Sequence, residues 1–299
     1  MPKFPLIGPS YTSQSLNADC QSTINLYPES IESGAGNNDI VLYPTPGLKS
    51  FVDLTPAAPP SPPANPPVFG SFSTVIYTGT SAGNSRTNVP FSTSEILPGD
   101  LVFFTVIGQL SVGNSFPVVG VSEVVTGATY SMIAGSGVTY DAAFEAPPNL
   151  GKQLYVFWGT ATNHVALGNY TMTITWAGNN TNADATGCFF PVRFLTTLHA
   201  SAANTDHVDI GDTSFSGSPI TTTVYTGIIN VINGAHPTTV TAPFLERISG
   251  PGNLFPIATY TVGGNSQAPP GIYTPTWNNF AGVDTREARI ITAAFVNTP

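Results

Sequence analysis

Asn169-Tyr170-Thr171-Met172-Thr173-Ile174-Thr175-Trp176 alternates without a break. Tyr170, Met172, Ile174 and Trp176 fall on one side of an extended chain, and Asn169, Thr171, Thr173 and Thr175 on the other. That period of two predicts a half-buried strand with one apolar face and one hydroxyl and amide face. Further strand candidates lie at 72–78, 100–107, 118–126, 153–160, 220–231, 258–262 and 290–296, separated by Gly, Pro, Asn and Ser. The stretch at 100–107, Asp-Leu-Val-Phe-Phe-Thr-Val-Ile, is the most apolar of them and follows a Pro98-Gly99 turn.

Composition points the same way. Only 8% of the 299 residues are charged, against roughly 25% in an average soluble protein. There are three Lys, seven Glu and three Met, so helix formers are scarce, whereas Val, Ile, Tyr, Phe and Thr favour strands. The 29 Gly and 28 Pro supply turns. The expected fold is all-β, an antiparallel β-sandwich of jelly-roll or immunoglobulin-like type. One sandwich over residues 68–299, with an early strand paired to the last, is expected ahead of two sandwiches splitting near 196–204. No internal repeat in the sequence decides between them.

The net charge of −9 arises from few charges, and the eight basic residues are scattered. This gives no footprint for nucleic acid. The longest apolar runs are of strand length, which predicts no membrane insertion by a helix. The N-terminus lacks the apolar core of a secretory signal, which predicts assembly in the cytoplasm. Few charges and many small hydroxyl and amide side chains suit a surface packed against identical neighbours or exposed on an extracellular particle.

Residues 1–54 differ from the rest. Short apolar pieces alternate there with Pro, Gly, Ser and Asn, and none is long enough to bury a core. The segments 23–27 and 39–43 are strand-capable and are ended by Pro28 and Pro44. They are expected to pair with a sheet edge, of this chain or of another subunit. Residues 55–67 contain seven prolines in thirteen positions. A stiff polyproline spacer is expected, on the order of 40 Å long if fully extended.

Three motifs stand in this arm: Pro5-Leu6-Ile7-Gly8-Pro9-Ser10-Tyr11, Asn25-Leu26-Tyr27-Pro28-Glu29 and Leu42-Tyr43-Pro44-Thr45-Pro46-Gly47-Leu48. Together they resemble the N-terminal segment of phage virion proteins of the packaged-DNA stabilisation and tail-hub type. The resemblance covers about one sixth of the chain, and the long, propeller-like body of that family is absent. The body more loosely resembles β-sandwich domains that decorate phage capsids and tails. The resemblance implies a virion structural protein without enzymatic activity or cofactor, whose partners are capsid, portal, neck or tail subunits and copies of itself. Tyr11, Leu26, Tyr27, Leu42, Tyr43, Leu48 and Phe51 are the expected docking residues.

Other constellations are weaker. Gly79-Thr80-Ser81-Ala82-Gly83 matches a nucleophile elbow, but no helix start follows it. The acidic cluster Asp206-His207-Val208-Asp209-Ile210-Gly211-Asp212 lacks the spacing and closing Glu of a calcium loop, so a polar turn and no metal are expected. Glu123 with Glu145 or Asp141 offers a pair of carboxylates, with nothing to bring them together. The alternative function, a module binding carbohydrate or a host receptor, would stack sugars on Trp158, Trp176, Trp277, Tyr155, Tyr170 and Tyr273. Rings at alternating strand positions are, however, the usual material of a core. Cys20 and Cys188 are the two cysteines, and nothing favours their pairing.

Overall fold

The computed structural model describes residues 26–31, 39–44, 61–77, 83–109, 117–140, 151–180, 185–208, 212–233, 239–248, 257–278 and 286–298. The chain divides into two compact units, Met1–Pro59 and Pro60–Pro299.

In the first unit β1 (Leu26–Ile31) and β2 (Asp39–Pro44) pair antiparallel, with Tyr27 opposite Tyr43 and Pro28 opposite Leu42. Residues 26–29 of the second arm motif and 42–44 of the third thus lie in the two strands of one ribbon. They pair with each other.

The second unit carries twenty strands and, among the described residues, no helix. The first ten are β3 (Val68–Phe69), β4 (Ser73–Tyr77), β5 (Gly83–Thr93), β6 (Leu101–Gln109), β7 (Val118–Ser122), β8 (Ser131–Met132), β9 (Gly137–Tyr140), β10 (Gly151–Thr160), β11 (Gly168–Asn180) and β12 (Ala185–Arg193). The rest are β13 (Leu195–Val208), β14 (Ser214–Ser216), β15 (Ile220–Thr222), β16 (Thr226–Asn233), β17 (Thr239–Val240), β18 (Phe244–Ile248), β19 (Ile257–Tyr260), β20 (Gly271–Tyr273), β21 (Thr276–Asn278) and β22 (Arg286–Asn297).

Strands β3 to β12 build one sandwich. Its inner sheet runs β3-β12-β6-β10-β8, with β4 also on β12 and β9 also on β10, and its outer sheet runs β5-β11-β7. Strands β13 to β22 build a second, with inner sheet β13-β22-β16-β19-β18 and outer sheets β14-β21-β17 and β15-β20. The order of connection is the same in both. With β3 and β4, β8 and β9, β14 and β15, and β20 and β21 each counted as one strand, the first strand lies beside the last, then come the third and the sixth; the second, seventh and fourth strands cover them. This is the jelly-roll arrangement, present twice. The chain passes from one to the other through Phe194, a non-glycine residue at φ 65°.

The two inner sheets pack face to face, so the body has four layers and three cores. Val89, Phe91, Met172, Ile174 and Trp176 of the first outer sheet meet Val102, Phe104, Val106, Tyr155 and Phe157. Leu101, Phe103, Val156 and Phe190 meet Ile229, Val231, Ile291 and Phe295 across the middle. Ile228, Ile232, Ile290 and Ala294 meet Phe215, Ile220 and Trp277 on the far side.

The layering explains the two sequence patterns. Strand β6 is buried on both faces, with Leu101 and Phe103 pointing one way and Val102 and Phe104 the other, so its apolar run is continuous. Strand β11 lies outside, so it alternates; Met172, Ile174 and Trp176 face the core, while Asn169 and Thr171 face solvent. The second outer layer repeats this chemistry with Ser214, Ser216 and Thr239 exposed. The expected pairing of an early strand with the last is corrected: β22 pairs with β13 and β16, and it meets β6 only face to face, Phe103 against Phe295 at 4.9 Å. The cause is local, because β13 follows β12 through one residue and gives β22 a nearer partner.

Candidate functional site

The proline-rich segment reaches the body before its last proline. Proline lacks an N–H, so such a tract presents carbonyl acceptors and almost no donors. Side-chain amides of the second jelly roll supply the donors. Gln267 Nε2 donates to the Pro63 carbonyl at 3.2 Å, and Asn297 Nδ2 to that of Asn65 at 2.9 Å. Asn297 also bonds the Phe194 carbonyl at 2.7 Å and accepts from Gln267. Pro67 is buried against Gly227, where a Cβ would come within 3.2 Å of its ring and 2.9 Å of Leu195. Residues 63–67 therefore form a strap on the second jelly roll before β3 joins the first. The stand-off expected of residues 55–67 is shorter by that length. Replacing Asn297 by Ala leaves two backbone carbonyls and Gln267 without their donor and acceptor. A loss of about 2 kcal/mol in urea unfolding is expected, with the fold retained.

Next to the strap, Arg193 reaches Asp100 through Nε and Nη2 at 3.2–3.3 Å, and the Asp100 carboxylate also accepts the Leu97 N–H at 2.8 Å. Two cavities of about 260 and 270 Å³ flank this pair, one lined by Val68, Gly70 and Glu95, the other by Pro98, Phe194 and Thr298. The Asp100 side chain is nearly buried and its oxygens are occupied, so the pair ties the loop before β6 to the end of β12.

Arg247 on β18 is held differently. Its Nε donates to Thr259 Oγ1 at 2.7 Å, and its Nη2 to Thr261 Oγ1 at 2.9 Å and Ser266 Oγ at 3.3 Å. The guanidinium carbon lies 5.7 Å from the centre of the Phe69 ring on β3. Burial lowers its pKa. Exposed apolar side chains stand around it in the chain: Val68 beside Phe69, Leu245 two residues before Arg247, and Val262 after Thr261.

Of the expected docking residues, Leu26, Tyr27, Leu42 and Tyr43 stand in the β1–β2 ribbon, two of them directly opposite each other. Tyr11, Leu48 and Phe51 lie outside the described residues, as do Ser81, Asp141, Glu145 and Cys20. Asp206 and His207 fall in β13, Asp212 just before β14, and 209–211 outside the description. Glu123 is buried and saturated: the N–H groups of Val125 and Thr126 donate to Oε2 at 2.7 and 2.9 Å, and Thr126 Oγ1 and the Tyr130 hydroxyl donate to Oε1. It pins its loop. Trp176 and Trp277 are buried, and Trp158 packs edge-on to Phe295 in the central core. Tyr155 is buried too, so these rings form no sugar platform. Arg247, Gln267 and Asn297 had no signal in the sequence beyond being polar residues in apolar or turn-like surroundings.

Two buried groups give a pH expectation. Burial pushes the Tyr155 hydroxyl up to about 12, and raises the Cys188 thiol well above its ordinary range. Both keep their protons in the folded chain at pH values where the unfolded chain loses them. The folded state then binds more protons, and stability is lost as pH rises past the unfolded values. The urea midpoint is expected to be level from about pH 7 to 8 and to fall from about pH 9 upward. Cys188→Ala should remove the part of the fall that begins near the thiol's ordinary value. Thiol reagents should not label Cys188 in the folded protein.

Compared with known protein families, with curated proteins and with solved structures, the chain matches none.

Proposed function

We propose that the chain is a non-enzymatic structural protein of a phage particle. It docks through residues 1–54 and carries the jelly-roll body as a capsid decoration, neck or tail component. The observation that carries the reading is the arm. Two of the three motifs that resemble phage virion proteins contribute residues 26–29 and 42–44 to the paired strands β1 and β2. A two-stranded ribbon is marginal in water alone, and each of its strands has an edge that, among the described residues, is unpaired. Such a ribbon gains stability by adding to a sheet or packing on a partner. The hydroxyl- and amide-bearing outer faces of the body fit a surface set among neighbours.

On this reading the partners are other virion subunits and copies of the chain. No cofactor, nucleic acid or bilayer is engaged, and the protein resides in the virion after assembly in the host cytoplasm. The test is quantitative mass spectrometry of gradient-purified particles, with antibody labelling in the electron microscope. The chain should be present at a fixed ratio to a major capsid protein and appear at one repeated location. Its absence from washed particles would overturn the proposal.

A further inference from the structure

Arg247 is a half-buried cation that makes no ion pair among the described residues. Arg193, by contrast, meets Asp100. Among the described residues the guanidinium of Arg247 touches three hydroxyls and one aromatic ring. Those bonds use Nε and Nη2 and leave Nη1 for another acceptor. A charge that merely blunts a sheet edge points into water. This one is folded back over Phe69, and burial disfavours its charged form. Half-burying an unneutralised cation is unfavourable unless a counter-charge arrives.

The surroundings suit an arriving chain. Among the described residues β18 is the outermost strand of its inner sheet, and β3 lies at the margin of the other. Because Arg247 spans from β18 to Phe69, the two margins lie side by side. Val68 on β3 and Leu245 on β18 are each about half exposed, at 51% and 48%, and Val262, next to the Thr261 that Arg247 bonds, is 54% exposed. An arginine anchor among apolar side chains is the usual composition of an interface centre, and an open strand margin accepts an extended segment.

We infer that this margin receives strand β1 from the arm of a second copy of the chain, with Glu29 brought to Arg247. The inference rests on reading the arm as a docking element. Strand β1 reads Leu26-Tyr27-Pro28-Glu29-Ser30-Ile31, one carboxylate in a strand that also carries Leu26, Tyr27 and Ile31. Residues 1–54 hold five acids and two lysines, so the arm is complementary to a lone cation. Adding β1 and β2 to the β18 margin also converts a two-stranded ribbon into part of a larger sheet.

The test is self-association of the full-length chain by sedimentation velocity, using wild type, Arg247→Glu, Glu29→Arg and the double variant carrying both changes. Each single reversal is expected to weaken association by roughly tenfold or more, and the double variant should regain most of it. Thermal melts check that Arg247→Glu remains folded; Glu29→Arg, which leaves the body untouched, gives an independent measure. Wild-type association by Arg247→Glu, no recovery in the double variant, or a wild type that stays monomeric would each overturn the inference. A chain lacking residues 1–54 is run alongside. If it alone loses association while Arg247→Glu retains it, the arm docks elsewhere and the site falls. If it associates as wild type, the arm is not the element of self-association.

Discussion

A chain lacking residues 1–54 is expected to fold, to melt within a degree or two of the full-length protein, and to be missing from assembled particles. The body has its own three cores, and the strap on its second jelly roll begins at Pro63, beyond the cut. Fixing the arm's backbone on a partner opposes docking by about 1–2 kcal/mol per residue. Burial of Leu26, Tyr27, Leu42, Tyr43, Leu48 and Phe51 has to offset that, at about 25 cal/mol per Å² of apolar surface. Losing the arm therefore removes the whole favourable term, and occupancy should fall to background. A longer deletion, through residue 67, separates the two roles. It also removes the acceptors of Gln267 and Asn297 and uncovers Gly227, so it should lower the body's own stability by about 2–5 kcal/mol. Counting particle-bound copies by mass spectrometry and unfolding both truncations in urea distinguishes these effects. Full occupancy by the shorter truncation would end the docking role of the arm.

Replacing Phe103 by Ala is expected to destabilise the body by about 3–5 kcal/mol and to split its unfolding into two steps. Phe103 is fully buried in the central core, stacked on Phe190 at 5.1 Å and edge-on to Phe295 at 4.9 Å. It thus touches both jelly rolls, and its loss leaves a cavity at the seam that joins them. Against a usual total of about 5–15 kcal/mol, that is a large fraction. Calorimetry should show one transition in the wild type and a broadened or double one in the variant. Met172→Ala, in the outer core of the first jelly roll, is the contrast: it weakens one layer and leaves the seam intact. A Phe103→Ala protein that unfolds in one step at unchanged midpoint would mean that the seam contributes little.

The fold class was legible because period two and composition agreed, and 169–176 read correctly as a half-buried strand. The run at 101–104 was legible as a strand, but its meaning, burial on both faces, appears only when a second inner sheet is laid on it. A split near 196–204 was legible as the alternative, but that both halves repeat one topology was not. Equivalent strands differ greatly in length, as in ten-residue β10 against four-residue β19, so no fixed spacing repeats. Pairing of an early strand with the last was wrong because it depends on which strand lies nearest in space, and Phe194 brings β13 there. In the candidate site, the arm was visible through its motifs. Arg247 was not, since Phe244-Leu245-Glu246-Arg247-Ile248 reads as a strand with ordinary solvent-facing charges. Gln267 and Asn297 acquire meaning only beside the proline carbonyls.

The strap also decides how the body would bear tension. A pull on the chain ahead of residue 63 arrives first at the amides of Gln267 and Asn297, and only then at β3. Asn297 ends β22, the strand flanked on both sides in its sheet by β13 and β16. The load is therefore shared out along two long ladders of backbone hydrogen bonds in one jelly roll before any of it reaches the other. A tether anchored at the two-residue β3 alone would peel that margin away bond by bond.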